Sequence, residues 1–471
     1  MNQPDVSRSS TGCPHWQRRV LLLSATAALL AGCANLGPGT PAAESRTPIF
    51  FVHGNGDHAG LWMTTLWRFE SQGWPREKLE AIDLPDPLAR DDDGVDQAGR
   101  SSTQQAAQAL SAAVERLLHR TGARQVVLVG NSRGGLVMRN YVQNFGGAAK
   151  VSHAVLGGTP NHGVRDDPAS RPGNEFNGGG PFLRGLNAPK GPNGDEVTPG
   201  VRWLTIRSDN YDKFAQPEGR WIGMPGKPTN VTFEGPALRG ATNVVLPGRD
   251  HREVSYHPEA FAQTWAFITG SAPPDTRIVP EAQVVLDGQI GAPGPAGPSN
   301  RGLAGATVEV FAVDAATGMR QGAALHRQTT TADGRWGPML TTPTQALEFV
   351  IGAPGMATSH VYRSPFPRSS FVVNFRPERL VDADKAATSV VSFVRPRGYF
   401  GVPRDRIMLD GKPAPGIPEG VAGVAASRVR LADAPGRSIV GDYESGVIRE
   451  RVVGRTWPAA ENRLTVLELH E

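Results

Sequence analysis

The stretch VVLVGNSRGG, Val126 to Gly135, constrains the fold more than any other part of the chain. Four β-formers run into Gly130-Asn131-Ser132-Arg133-Gly134, and LVMRNYVQNF follows with helical character until Gly146-Gly147. A strand that turns so abruptly into a helix is a βα unit, the building block of a parallel sheet. Glycines flank Ser132 because a Cβ there would clash in so tight a turn. The helix start behind it favours developing negative charge at the serine.

The pattern repeats along residues 47–271. TPIFFVHG, LEAIDLP, ARQVVLVG, VSHAVLGG, VRWLTIRS and TNVVLPG are strand candidates. SSTQQAAQALSAAVERLLHRTG reads as a helix capped by Ser101 or Ser102, with Gln104 or Gln105 three residues on and Gly122 as its stop. PEAFAQTWAFITG closes the run as another helix. Strands alternating with helices predict an α/β fold, a mostly parallel sheet covered on both faces. Residues 161–200 interrupt the rhythm with an insertion rich in Gly, Asn and Pro, in which PFLRGL is a helical turn. A loop of this length in a compact domain is often functional.

Beyond SAPPDTRIVPEA the composition changes to short alternating strands without helices. Residues 272–355 are expected to form a small β-sandwich and 356–471 a second β-rich domain. GAPGPAGPS contains too few triplets for a collagen helix and is a turn loop.

The N-terminal 32 residues have the layout of an export signal: Arg18-Arg19, the apolar core VLLLSATAALL, then LAGC ending at Cys33. LAGC resembles the bacterial lipobox, which implies lipidation of Cys33, and residues 33–46 then form a tether. Cys13 would leave with the signal, so no thiol would remain for a disulfide, a metal site or a nucleophile. The expected location is exported and lipid-anchored, at the outer membrane facing the periplasm or the cell surface. Residues 1–32 contain three Arg and one Asp, so the rest of the chain carries 46 basic and 44 acidic residues. That balance, without a basic stripe, argues against nucleic acid as a partner. No cofactor or metal is expected, and no feature of the sequence specifies an oligomeric state.

Three further loops supply what a serine nucleophile needs. A hydroxyl requires a base, and the base an orienting acid. His251 stands in the turn GRDH after a strand candidate and is the expected base; His257, followed by Pro258, reads as a helix entry. WLTIRSDNYDKFAQP places Asp212 as the expected acid, with Asp209, nearer the strand end, as the alternative. FFVHGNG ends the first strand in a turn whose Asn55 amide, with that of Arg133, can serve as an oxyanion hole. His53 in this turn reads as a packing residue. The acidic run ARDDDGVDQAGR lacks calcium-loop spacing and is a solvated loop.

Together FFVHGNG, LVGNSRGGLV, LGGTPNHG, TIRSDNYDKF and LPGRDHREVSYHP resemble the α/β-hydrolase superfamily, in its bacterial and archaeal lipase/esterase branch. The resemblance covers about 47–271 and implies a serine carboxylic-ester hydrolase acting on lipid or other acyl esters. Many lipases carry His where this chain has Asn131. GATVEVF with TTTADGRW resembles carboxypeptidase-regulatory β-domains, and a hydrolase followed by β-domains resembles lipases whose C-terminal unit engages lipid. A polyhydroxyalkanoate-type polyester depolymerase or an acyltransferase would use the same residues. A non-enzymatic surface lipoprotein that binds lipid or glycan is the alternative outside catalysis.

Overall fold

The computed structural model describes residues 46–471. The expected signal segment, Cys33 and the tether up to residue 45 lie outside the described residues.

Six strands form the first sheet: β1 (Ile49–Val52), β2 (Leu79–Ala81), β3 (Val126–Asn131), β4 (Val151–Gly157), β5 (Arg202–Arg207) and β6 (Thr242–Val245). Their spatial order is β6-β5-β4-β3-β1-β2, and every pairing is parallel. The helices are α1 (Met63–Ser71), α2 (Thr103–Thr121), α3 (Arg133–Asn144), α4 (Pro181–Leu186), α5 (Glu253–Tyr256) and α6 (Pro258–Thr269). Both faces of the sheet are covered, which is why β1 and β3 read as unbroken apolar runs. Phe50, Val52, Val126 and Leu128 pack with α2 and α3. Their neighbours Ile49, Phe51, Val127 and Val129 pack with α1 and α6 on the other side.

Local signals set the helix ends. Ser102 caps α2 in a reciprocal capping box with Gln105, and Gly122 stops it at φ 65°. Pro258 occupies the first turn of α6, and Gly270 ends it in the left-handed region. Strand order reverses at β1, with β2 on one side and β3 on the other. In such sheets a crevice opens outside the carboxyl ends of the strands at the reversal. The turns carrying Gly54 and Ser132 lie there.

The remainder is β-structure apart from short helical turns such as Asp382–Lys385. A seven-stranded sheet runs in the order His326–Thr329, Thr307–Val313, Ala346–Gly352, Thr358–Arg363, Arg463–Glu468, Ser389–Val394 and Ala426–Leu431. Ala346–Gly352 and Thr358–Arg363 pair directly, and Arg463–Glu468 lies between Thr358–Arg363 and Ser389–Val394. The stretches 272–355 and 356–471 therefore share one sheet. Pairing between strands so distant in sequence leaves no trace in local periodicity. A four-stranded sheet packs over it, where Phe393, Tyr362 and Leu467 meet Ile407, Ile439 and Tyr443.

The other face of the large sheet receives two residues from the first half of the chain. Met63 and Trp67 of α1 sit fully buried among Val284, Trp336, Phe349 and Val390. The Trp67 indole Nε1 also donates to the Ser369 carbonyl at 2.9 Å. The β-region thus shares its core with the α/β half.

Candidate active site

Ser132 follows β3 directly and has φ 53°, ψ −122°. A non-glycine residue in that region is strained, and such strain concentrates at functional sites. The surroundings enforce it. Its N–H donates to the Gly157 carbonyl at 2.9 Å. A Cβ on Gly130 would lie 2.4 Å from Met138 Sδ, and one on Gly134 would lie 2.3 Å from the Val52 carbonyl oxygen. The second neighbour is backbone and cannot swing aside. Gly134→Ala is expected to cost about 1–3 kcal/mol of stability by overpacking and to displace Ser132. Denaturant titration and turnover of a short-chain ester measure both effects.

His251 follows β6 and Asp212 follows β5. The two meet at 2.9 Å from Nδ1 to each carboxylate oxygen. A carboxylate only accepts, so Nδ1 carries the proton and Nε2 keeps its lone pair. Nε2 is buried without a hydrogen-bond partner among the described residues. Asp212 Oδ1 also accepts from the Phe214 N–H at 2.8 Å, and the Phe214 ring packs edge-on against the imidazole at 4.6 Å. Asp209 does not reach His251. It accepts from the Tyr211 and Gly248 amides and so ties two loops together.

Ser132 and His251 line one cavity of about 290 Å³ together with Gly54, Asn55, Asn131, Phe214 and Tyr399. Among the described residues, the Asn55 and Arg133 amides have no backbone acceptor. The Asn55 side chain instead holds its own loop, with Oδ1 accepting from the Ala89 N–H at 2.7 Å. His53 is fully buried. Its Nδ1–H donates to the Gly54 carbonyl, and Nε2 accepts from the Leu84 amide. Burial lowers its pKa, so it is a neutral strut under the turn.

Several contributors escaped the sequence reading. Asn131 Nδ2 donates to the His251 carbonyl at 3.1 Å and to Ser255 Oγ at 2.8 Å, so the residue before the serine holds the histidine loop. Arg133 makes a bidentate pair with Glu175 of the 161–200 insertion and also donates to Pro87 and Ser101. That pair, 1% and 2% exposed, ties the insertion to the turn. The β-region supplies the rest. Asp250 and Glu253, on either side of the histidine, are fully buried and face Arg395 at 3.0 and 2.6 Å. Arg404 adds a 2.6 Å contact to Glu253, and the Tyr399 amide donates to Asp250. Burial works against ionisation of Glu253, but Arg395 and Arg404 outweigh it and hold its carboxyl at about 2. The arginine-rich run RPRGYFGVPRDR, 395–406, was the available signal. Nothing local tied it to a loop about 150 residues upstream.

His257 does not approach Asp212. Its Nδ1 accepts from the Glu259 N–H at the start of α6, so the ring is neutral there. Burial, helped by Arg249, lowers its pKa to about 4. With an unfolded value near 6.5, the unfolded chain binds more protons between these limits, so stability falls as pH drops through that window. From pH 7 to pH 5 this group alone is expected to remove about 2 kcal/mol. Denaturant midpoints at the two pH values, compared with those of His257→Asn, check it.

One family match falls in each half. Residues 48–216 match the palmitoyl protein thioesterase family, and residues 282–380 match the lipase C-terminal domain. The protein is an α/β-hydrolase with a C-terminal β-domain. The second match runs through residue 355, in keeping with the continuous sheet. Among solved structures, the hydrolase is similar to Bacillus licheniformis lipase BlEst2 in its propeptide form, at 15% identity, over 89% of this chain and 94% of that one, with a TM-score of 0.35. It is also similar to Aspergillus fumigatus lipase B, at 18% identity over 49% of this chain and a TM-score of 0.32. The match spans 54% of that lipase's length. Paleococcus ferrophilus monoacylglycerol lipase matches 48% of the hydrolase at 15% identity, covering 96% of its own chain with a TM-score of 0.28.

Proposed function

We propose that the protein is a serine carboxylic-ester hydrolase that works through an acyl-enzyme. The observation that carries this reading is the Asp212–His251 pair, with its unpartnered Nε2 in the cavity that Ser132 lines. Ser132 Oγ attacks the ester carbonyl while His251 Nε2 takes its proton. Asp212 holds the imidazole in the required tautomer and stabilises its cationic form. The Asn55 and Arg133 amides donate to the oxyanion, each worth about 3 kcal/mol in the transition state. His251 then returns the proton to the leaving alcohol. Water, activated by the same imidazole, releases the acid. Each group these steps require comes from the chain itself.

The β-domain contributes to the same chemistry. It places Tyr399 in the cavity wall and Arg395 and Arg404 behind the histidine loop. The test is labelling with a fluorophosphonate followed by peptide mapping. Covalent label on the peptide containing Ser132 is expected. A folded protein that stays unlabelled, or is labelled elsewhere, overturns the reading.

The chain's location is part of the proposal. The LAGC segment supports export and anchoring through a lipid on Cys33, with an ester or lipid as the substrate. Cys33→Ala is expected to move the enzyme from the membrane fraction to the soluble one, and an unchanged distribution would remove the anchor.

A further inference from the structure

Five arginines line the cavity of Ser132 and His251: Arg90, Arg100, Arg165, Arg171 and Arg252. Three have carboxylate partners within the protein. Arg90 pairs with Asp96, Arg252 with Asp57 at 3.0 Å, and Arg100 with Asp91 at 3.7 Å. Arg165 has no carboxylate partner among the described residues. It is 4% exposed, its Nη1 meets only Met224 Sδ at 3.1 Å, and its buried Nε has no partner. A thioether is a weak acceptor. Burial and the neighbouring Arg171 both lower the pKa of Arg165, against a smaller opposing pull from Asp167. Arg171 has no ion pair among the described residues, and its backbone is held at φ 52°.

Two other buried arginines of this half are, by contrast, fully engaged. Arg139 donates to Asn161, Leu186, Asn187 and Glu196, and Arg133 is saturated by Glu175, Pro87 and Ser101. An unpaired buried guanidinium is costly, and a nearby second cation raises that cost. On the cavity wall the buried Arg165 guanidinium lacks a carboxylate in contact, with the exposed Arg171 beside it and Asp167 as the weaker opposing charge. The rest of the lining includes Phe176, Phe214 and Trp221, and the volume lies near the lower end of the roughly 300–1,000 Å³ typical of ligand sites.

We propose that Arg165 and Arg171 form a subsite for an oxyanion on the substrate, so that the preferred substrate is a compact ester bearing a carboxylate or a phosphate. The proposal rests on the ester-hydrolase reading for its chemistry but not for its binding. A guanidinium facing a carboxylate or phosphate forms a charge-assisted pair about twice as strong as a neutral hydrogen bond. The anion would give Arg165 the contacting counter-charge that the fold withholds, with Arg171 beside it as a second cation.

The test compares esters matched in size. The carboxylate arm uses 4-nitrophenyl hydrogen glutarate against its methyl ester, and the phosphate arm uses acetoxyethyl phosphate against its dimethyl ester. In at least one arm the wild type is expected to favour the anion by tenfold or more in kcat/KM, about 1.4 kcal/mol. Arg165→Gln should reduce that ratio at least tenfold, and Arg165→Lys should restore part of it. A purely structural role would slow both members of a pair together and leave the ratio unchanged, which overturns the proposal, as does a wild-type ratio near one in both arms. If Arg165→Gln fails to fold, Arg171→Gln, altered at an exposed side chain, reads the same ratio. If no ester is turned over, the hydrolase reading fails, and calorimetry decides the subsite separately. Binding of monoethyl glutarate or monoethyl phosphate to the wild type that weakens tenfold in the variant sustains it, and binding of neither overturns it.

Discussion

Ser132→Ala is expected to lower kcat by about 10⁶-fold, the scale seen when the nucleophile of a serine triad is removed. The loss should fall on kcat, because the cavity walls that bind the ester are untouched. Asp212→Asn should cost about 10⁴-fold, since an amide at that place stabilises the wrong imidazole tautomer. The two losses should not add, because the residues act as one unit. Pre-steady-state and steady-state hydrolysis of a 4-nitrophenyl ester, with folding verified by denaturant titration, measures this. Retention of more than about a tenth of wild-type kcat by folded Ser132→Ala would exclude it as the nucleophile.

Arg395→Ala should have the largest effect on stability. Arg395 touches Asp250, Glu253, the Tyr256 hydroxyl and the Tyr399 carbonyl, and both it and the two acids are fully buried. Removing one partner of a buried ionic group leaves uncompensated charge at about 3–5 kcal/mol. Arg404 stays behind to offset Glu253, but its contact to Asp250 is a distant 4.0 Å. The unfolding midpoint in urea should fall accordingly, and the surviving folded fraction should show reduced kcat because Asp250 and Glu253 flank His251. Arg395→Lys keeps the charge without the forked geometry and should fall between. An unchanged midpoint in Arg395→Ala would show that the cluster does not brace the loop.

The elements that could be read from the sequence are those whose causes are local. The Gly-flanked Ser132, the Ser102–Gln105 cap, and the strand-then-loop positions of Asp212 and His251 follow from side-chain spacing and from residues that tolerate tight turns. His257 and Asp209 show the same logic, since each is explained by the amides of its own or the adjacent loop. What could not be read depends on distant partners. Asn131 reads as interchangeable in sequence because its role is a bond to the His251 carbonyl, 120 residues away. The single sheet shared by 272–355 and 356–471 depends on Arg463–Glu468 entering between strands that lie far upstream in the chain. The charge deficit at Arg165 is visible only as contacts that are missing.

The salt-bridged cluster behind His251 has a consequence for the order in which the protein is made. Asp250 and Glu253 leave the ribosome well before Arg395 and Arg404, the two arginines that pair with them. Two carboxylates without those partners favour water over the interior, so the histidine loop gains its buried setting only once residues 395–404 have been added. The setting of the His251 loop is therefore coupled to residues about 150 positions downstream, and a chain cut before Arg395 is expected to hold Ser132 without His251 seated beside the same cavity.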